Sequence, residues 1–230
     1  MNNFFLGLDL GQAQDYTALA VLERLETVTG EKTLSFRFKH KQGGRPIIPD
    51  PWENNNHPWS GITLRTQEVD ATANLYHLRH LERLKLGTSY PAIVERVKSL
   101  LESEQLKGKA ALVVDKTGVG APVVDMFKAA GLRPVPITIT GGNTVTRDDD
   151  GGYHVPKRDL VSVLQVLFQA GRLKVAAELP AARLLVEELL NFRVKINVKT
   201  AHDSYEAWRE GVHDDLVLAV ALACWYEESS

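Results

Sequence analysis

Two short apolar segments of this chain end in the same way. Residues 4–10 read FFLGLDL and residues 110–115 read AALVVD, and each carries an aspartate at or next to its end, just ahead of a glycine-containing turn. Asp9 precedes Gly11, and Asp115 precedes KTGVG. Short apolar runs bounded by turn signals read as buried strands. A carboxylate at the end of such a strand is costly to bury unless it is paired, and ligand sites in open α/β sheets lie beyond the carboxyl ends of strands. Each aspartate also has a plainer reading, as the residue that starts a turn. Two acids placed alike are stronger evidence for a site than either one.

The remaining elements are read around these two strands. Residues 16–24 (YTALAVLER) form a second strand, joined to the first by so short a link that the pair should be antiparallel. Residues 33–39 alternate as a half-exposed strand does, and residues 73–84 alternate again. Between them, residues 40–61 carry four prolines and a run of asparagines, which marks a surface excursion. Ser89 and Pro91 signal the start of a helix whose apolar face is Ile93, Val94, Val97, Leu100 and Leu101. A helix over 121–130 should stop at Gly131, followed by a strand over 134–140. The polar stretch GGNTVTRDDDGG reads as a hairpin or flap, and Pro156 opens a helix over 157–170. A helix over 180–191 and a strand over 192–199 come next, and the last helix, from HDDLVLAVALACWY, is apolar almost all round and should be buried. Strands first, then strand–helix alternation, predict an α/β mixed sheet, an antiparallel meander plus parallel strands, flanked by helices.

Composition narrows the classes of function. The 230 residues are 44% hydrophobic and 24% charged, as in an ordinary globular chain long enough for a proper core. No apolar run reaches the roughly 18 residues of a membrane span, and MNNFFLGLDL has no basic start or cleavage site, so no membrane partner and a cytoplasmic location are expected. The single cysteine, Cys224, reads as a small core residue. A formal charge of −2 argues neither for nor against nucleic acid: an electrostatic DNA coat would be basic overall, and an enzyme that concentrates carboxylates in one cleft need not be.

Three more acids join the first two. Asp15 enters the second strand, and its plainer reading is a loop residue. Asp214 and Asp215 open the final helix, where one aspartate serves as N-cap and first-turn acid. The second is surplus to that role. Carboxylate oxygens are natural ligands of Mg²⁺ or Mn²⁺, and crowded carboxylates repel one another unless a cation neutralises them. Two such ions, about 4 Å apart, could activate a water and stabilise the leaving oxygen of a phosphodiester.

The set GLDLGQAQDYTALAV, VVDKTGVGAPVVDMF, GGYHVPKRDLV and GVHDDLVLAVALA resembles the nuclease domain of phage terminase large subunits, whose fold is similar to ribonuclease H and RuvC-type resolvases. The resemblance runs from about residue 3 to 226, broken by an excursion at about 40–72, and implies a single ribonuclease-H-like domain over 1–230. It implies a metal-dependent endonuclease that cuts double-stranded DNA during phage genome packaging, in the cytoplasm of a bacterial host. It implies Mg²⁺ or Mn²⁺, two ions in all, and as partners a terminase ATPase motor, a small terminase subunit and a portal. Carried over by position, Asp9, Asp115, Asp214 and Asp215 match the metal-binding catalytic acids, and Asp15 matches an accessory metal acid. Lys157 matches a position where a lysine could stabilise phosphate charge, its plainer reading being a solvated first-turn lysine. His154 and His213 read as structural residues or as neighbours of the site. Phosphate contacts are expected from residues 39–45 and from Arg147, Lys157 and Arg158, with little sequence specificity.

The chain departs from a complete large subunit in having no G-x-x-x-x-G-K-[ST] loop, so it reads as an excised domain or a separate nuclease. Competing readings are a Holliday-junction resolvase of the same fold and a non-catalytic module that binds DNA or a partner. A third is an actin-like ATPase, suggested by GLDLGQ but short of the length and phosphate motifs that fold needs.

Overall fold

The computed structural model describes residues 3–11, 15–40, 62–118, 121–198 and 213–229. Among them, eight strands form one sheet: β1 (Phe4–Asp9), β2 (Ala18–His40), β3 (Ile62–Arg83), β4 (Ala110–Asp115), β5 (Pro134–Thr140), β6 (Thr146–Arg147), β7 (Tyr153–Pro156) and β8 (Leu173–Val175). Their order across the sheet is β6-β7-β5-β4-β1-β2-β3-β8. β1 pairs antiparallel with β2, and β4 lies parallel to β1 on its other side, followed by β5, also parallel. This is the mixed sheet expected from the sequence, an antiparallel pair continued by parallel strands, with β1 near its centre. The contacts divide the chain into two compact units, Met1–Leu25 with Asn74–Ser230, and Glu26–Ala73.

Helices α1 (Tyr90–Leu101), α2 (Ala121–Ala129), α3 (Lys157–Gln169), α4 (Ala182–Val198) and α5 (Asp215–Glu228) complete the fold. The strand period of two sorts the core into two layers. Leu6 and Leu8 of β1, Leu10 just after it, and Leu112 and Val114 of β4 pack with Ile93, Val97 and Phe127 of α1 and α2. Phe5 of β1 and Ala111 and Val113 of β4 pack on the opposite layer with α3, α4 and α5. Continuing the alternation by one step puts Asp9 and Asp115 on the α5 side, just beyond the paired residues Leu8 and Val114.

α5 is the centre of that layer, buried from Asp215 to Trp225. Each fully buried Leu or Val there contributes about 1.5–3 kcal/mol. The helix meets β1 at Gly7, where an added Cβ would lie 1.9 Å from the Ala219 carbonyl oxygen and 3.1 Å from the Ala223 nitrogen. Backbone therefore packs on backbone, and only glycine fits. Gly11 is confined in the same way by the Asp15 and Tyr16 carbonyls, 2.3 and 2.4 Å from a Cβ built there. The tight return is closed by the Gly11 N–H donating to Thr17 Oγ1 at 3.1 Å.

Several boundaries differ from the sequence expectations. The strands expected over 16–24 and 33–39 are one continuous strand, β2. Thr27, Val28 and Thr29 carry it through, and Gly30 weakens a strand without ending it. The excursion placed at about 40–72 gives way to β3 from Ile62, and residues 41–61 lie outside those described. The strand expected over 192–199 is helical as far as Val198, because no glycine or proline interrupts α4 and β-branched residues cost a helix only a few tenths of a kcal/mol each. β7 and β8, of four and three residues, are too short to show a period and exist through pairing with β5 and β3. The polar stretch after β5 is a hairpin, β6 against β7. Gly131 (φ +85°) ends α2 as expected.

Candidate active site

Three elements bring four aspartates to one edge of the sheet. Asp9 (7% exposed) ends β1 and Asp115 (6%) ends the neighbouring β4, while Asp215 (7%) begins α5 directly after Asp214. The Asp9 carboxyl is pushed well above the usual carboxylate range, first by burial and then by the charges of Asp115, Asp215 and Asp214, with a hydrogen bond to Asp115 adding to the rise. Asp115 is raised too, by burial, against hydrogen bonds from Thr117 that favour its charge. Asp215 is pushed up to about 6, by burial first, with Arg83 opposing and Asp214 reinforcing the rise. These carboxylates thus feel one another as like charges in a low-dielectric place.

Asp115 also shapes its own loop. Its Oδ1 accepts the Thr117 N–H at 2.7 Å, Thr117 Oγ1 accepts the Ile139 N–H at 2.7 Å, and Gly118 takes φ +81°. The turn-forming reading therefore holds for this residue, with Oδ1 as the acceptor.

The aspartates of α5 do not cap it. Asp214 occupies the N-cap position, yet its side chain makes no capping bond. Its Oδ2 instead accepts from Lys157 Nζ at 2.8 Å. Capping is done from α4: Glu188 Oε2 accepts the N–H groups of Leu216 and Val217 at 3.0 and 3.1 Å. Glu188 is 4% exposed and burial pushes it up to about 7. Arg83, at the end of β3, pairs with Glu188 Oε1 and lies 3.3 Å from Asp215 Oδ2. Asp215 Oδ2 is nevertheless buried without a hydrogen-bond donor. A buried, charged oxygen left short of a partner is costly and marks a place where a cation fits.

Glu188 and Arg83 were not singled out from sequence. Glu188 had a signal: it falls beside Leu185 and Leu189 on the inward face of α4, where a charge is out of place. Arg83 had none, since an arginine ending a strand reads as a surface cation.

The other sequence candidates sort differently. Asp15 is exposed, lines a cleft of about 280 Å³ with Lys85, Ser89 and Tyr90, and reaches the cluster through its repulsion of Asp215. His213 is exposed, packs edge-on against Tyr16 at 5.0 Å, and has Nδ1 3.8 Å from Asp215 Oδ2. His154 bonds Asp148 at 2.6 Å, and Asp148 also accepts from Lys116 Nζ at 2.7 Å. Arg147 stacks on Tyr153 at 5.2 Å, and Arg158 donates to the Asn143 carbonyl at 2.8 Å. Lys39 lies near the end of β2, and residues 41–45 are outside those described.

The donor set suits Mg²⁺ or Mn²⁺, being carboxylate oxygen throughout. Among the described residues no group of three or more His, Cys, Asp or Glu side chains is already arranged to hold a metal ion. No helix among them is long and apolar enough to cross a membrane.

No family model and no curated protein matches this sequence. Two solved structures are similar to the chain. The large terminase nuclease from the thermophilic phage G20c shares 19% identity at a TM-score of 0.48, over 96% of this chain and 80% of that one. The terminase nuclease domain of human cytomegalovirus, soaked with manganese, shares 15% identity at a TM-score of 0.47, over 96% of this chain and 81% of that one. Both are terminase nucleases.

Proposed function

We propose that this chain is a divalent-metal-dependent endonuclease that hydrolyses double-stranded DNA in phage genome packaging. The observation that carries the reading is the gathering of Asp9, Asp115, Asp214 and Asp215 from three elements, with Asp9 raised by its three acidic neighbours and one buried Asp215 oxygen lacking a donor. Such an arrangement costs stability unless a cation joins it. Asp9, Asp115, Asp214 and Asp215 would hold Mg²⁺ or Mn²⁺, as a pair of ions, with Asp15 accessory. When bound, the metal supplies Lewis-acid charge to the phosphodiester and its leaving oxygen. Asp9 and Asp115, fixed on adjacent strands, would hold the metal at this edge of the sheet. Lys157, held by Asp214, is placed to offset charge on a phosphate oxygen. Burial of Asp9 and Asp215 keeps bulk water from screening these charges. The packaging setting, and the motor, small subunit and portal as partners, come with the resemblance of the sequence motifs.

The test is nicking and linearisation of supercoiled plasmid with Mg²⁺, Mn²⁺ or EDTA. Cutting should require metal, and Asp115→Asn should lower it by at least about a hundredfold. Cutting in EDTA, or full activity in the variant, would overturn the reading.

A further inference from the structure

Arg83 stands between two carboxylates of unequal hold. Its Nη2 is hydrogen-bonded to Glu188 Oε1 and is only 3.3 Å from Asp215 Oδ2 as a charge contact. The geometry toward Asp215 falls short of a hydrogen bond, since Asp215 Oδ2 has no donor and Arg83 Nε no acceptor. The side chain is 14% exposed, and its guanidinium lies 4.8 Å over the Tyr16 ring. A guanidinium does not lose its proton in a protein, so this positive charge is permanent. Glu188 in turn is fixed by the two backbone N–H groups it caps. Arg83 is thus anchored by Glu188 and Tyr16 whether or not it attends to Asp215.

We propose that Arg83 is a positioning residue that serves as resident counter-ion of the carboxylate edge: it balances Asp215 in the metal-free protein and releases it when a divalent cation enters, while staying bound to Glu188. The proposal rests on the metal-binding reading above. Its consequence has a sign that a merely structural role would not produce. A counter-ion competes with the metal, so its removal tightens metal binding. A residue that only builds the site would, on removal, loosen it.

The experiment is a Mn²⁺ titration followed by the electron paramagnetic resonance signal of the free ion, with wild type and Arg83→Met. Methionine keeps apolar contact with Tyr16 and drops the charge. Because Arg83→Met strands Glu188, the comparison is repeated as Arg83→Met/Glu188→Gln against Glu188→Gln. Loss of a unit charge so close to the ion should tighten Mn²⁺ about tenfold in each background. Unchanged or weaker affinity, with wild type still binding Mn²⁺, would overturn the proposal and leave the metal reading standing. A wild type that takes up no Mn²⁺ would overturn both.

Discussion

Asp214 and Asp215 begin α5, and Glu227 and Glu228 end it, so one buried helix presents an acid pair at each end. At the far end the pair is met by the fold's own donors. The Tyr76 hydroxyl lies within hydrogen-bonding reach of both glutamates, Arg24 and Asn74 reach Glu227 at 3.1 and 3.2 Å, and Arg172 reaches Glu228 at 2.5 Å. Tyr76 is fully buried, and burial with those glutamates holds its proton firmly in place. At the near end the supply runs short: Asp215 Oδ2 lacks a donor, and Asp9 is surrounded by acids. The glutamate end opposes the helix dipole and is compensated within the protein. The aspartate end agrees with the dipole and is compensated only in part, by Lys157 at Asp214 and by the nearby charge of Arg83 at Asp215. The difference teaches that donor supply, rather than burial or helix position, separates a structural acid pair from one suited to an external cation.

The comparison can be broken at either end. Glu227→Ala should have the largest effect, about 3 kcal/mol of stability, because it strands Tyr76, Arg24 and Asn74. The loss, read by urea unfolding, should be equal in EDTA and in Mg²⁺. Asp9→Asn should move the other way, raising stability in EDTA by on the order of 1 kcal/mol through relief of repulsion. A destabilised Asp9→Asn would make the two ends alike and sink the contrast. The smallest effect is in pH. Asp215 and Glu188, at about 6 and 7 when folded against ordinary values of 3.8 and 4.5, bind protons more tightly in the folded state. Their contribution to stability is therefore present below about 4 and is lost as pH rises through 6 and 7. The gap between melting temperatures in Mg²⁺ and in EDTA should widen over that window, and a constant gap would count against the cluster.

Much of this was legible in the sequence. Asp9 and Asp115 announce themselves because a charge ends an apolar run, and β1, β4, β5 and α5 follow from period and punctuation. Pairing partners do not leave such marks. The existence of β8 depends on β3, a neighbour distant in the chain. The capping of α5 was misassigned for a related reason. Local rules give an N-cap to the aspartate that precedes a helix, whereas here a glutamate from another helix takes the bonds and leaves Asp214 to Lys157.

The contact of Gly7 with Ala219 has a bearing on how this chain can drift over generations. Soft side chains ordinarily set the gap between a helix and a sheet, and each core substitution then shifts it by tenths of an ångström. Here main-chain atoms act as a hard stop, two residues from Asp9 and one turn from Asp215. The surrounding apolar residues are thereby free to vary for thermal adaptation without altering the spacing of the acids, while position 7 itself is locked. In a library of variants, tolerance should be broad through the core and fall to nothing at Gly7, as at Gly11.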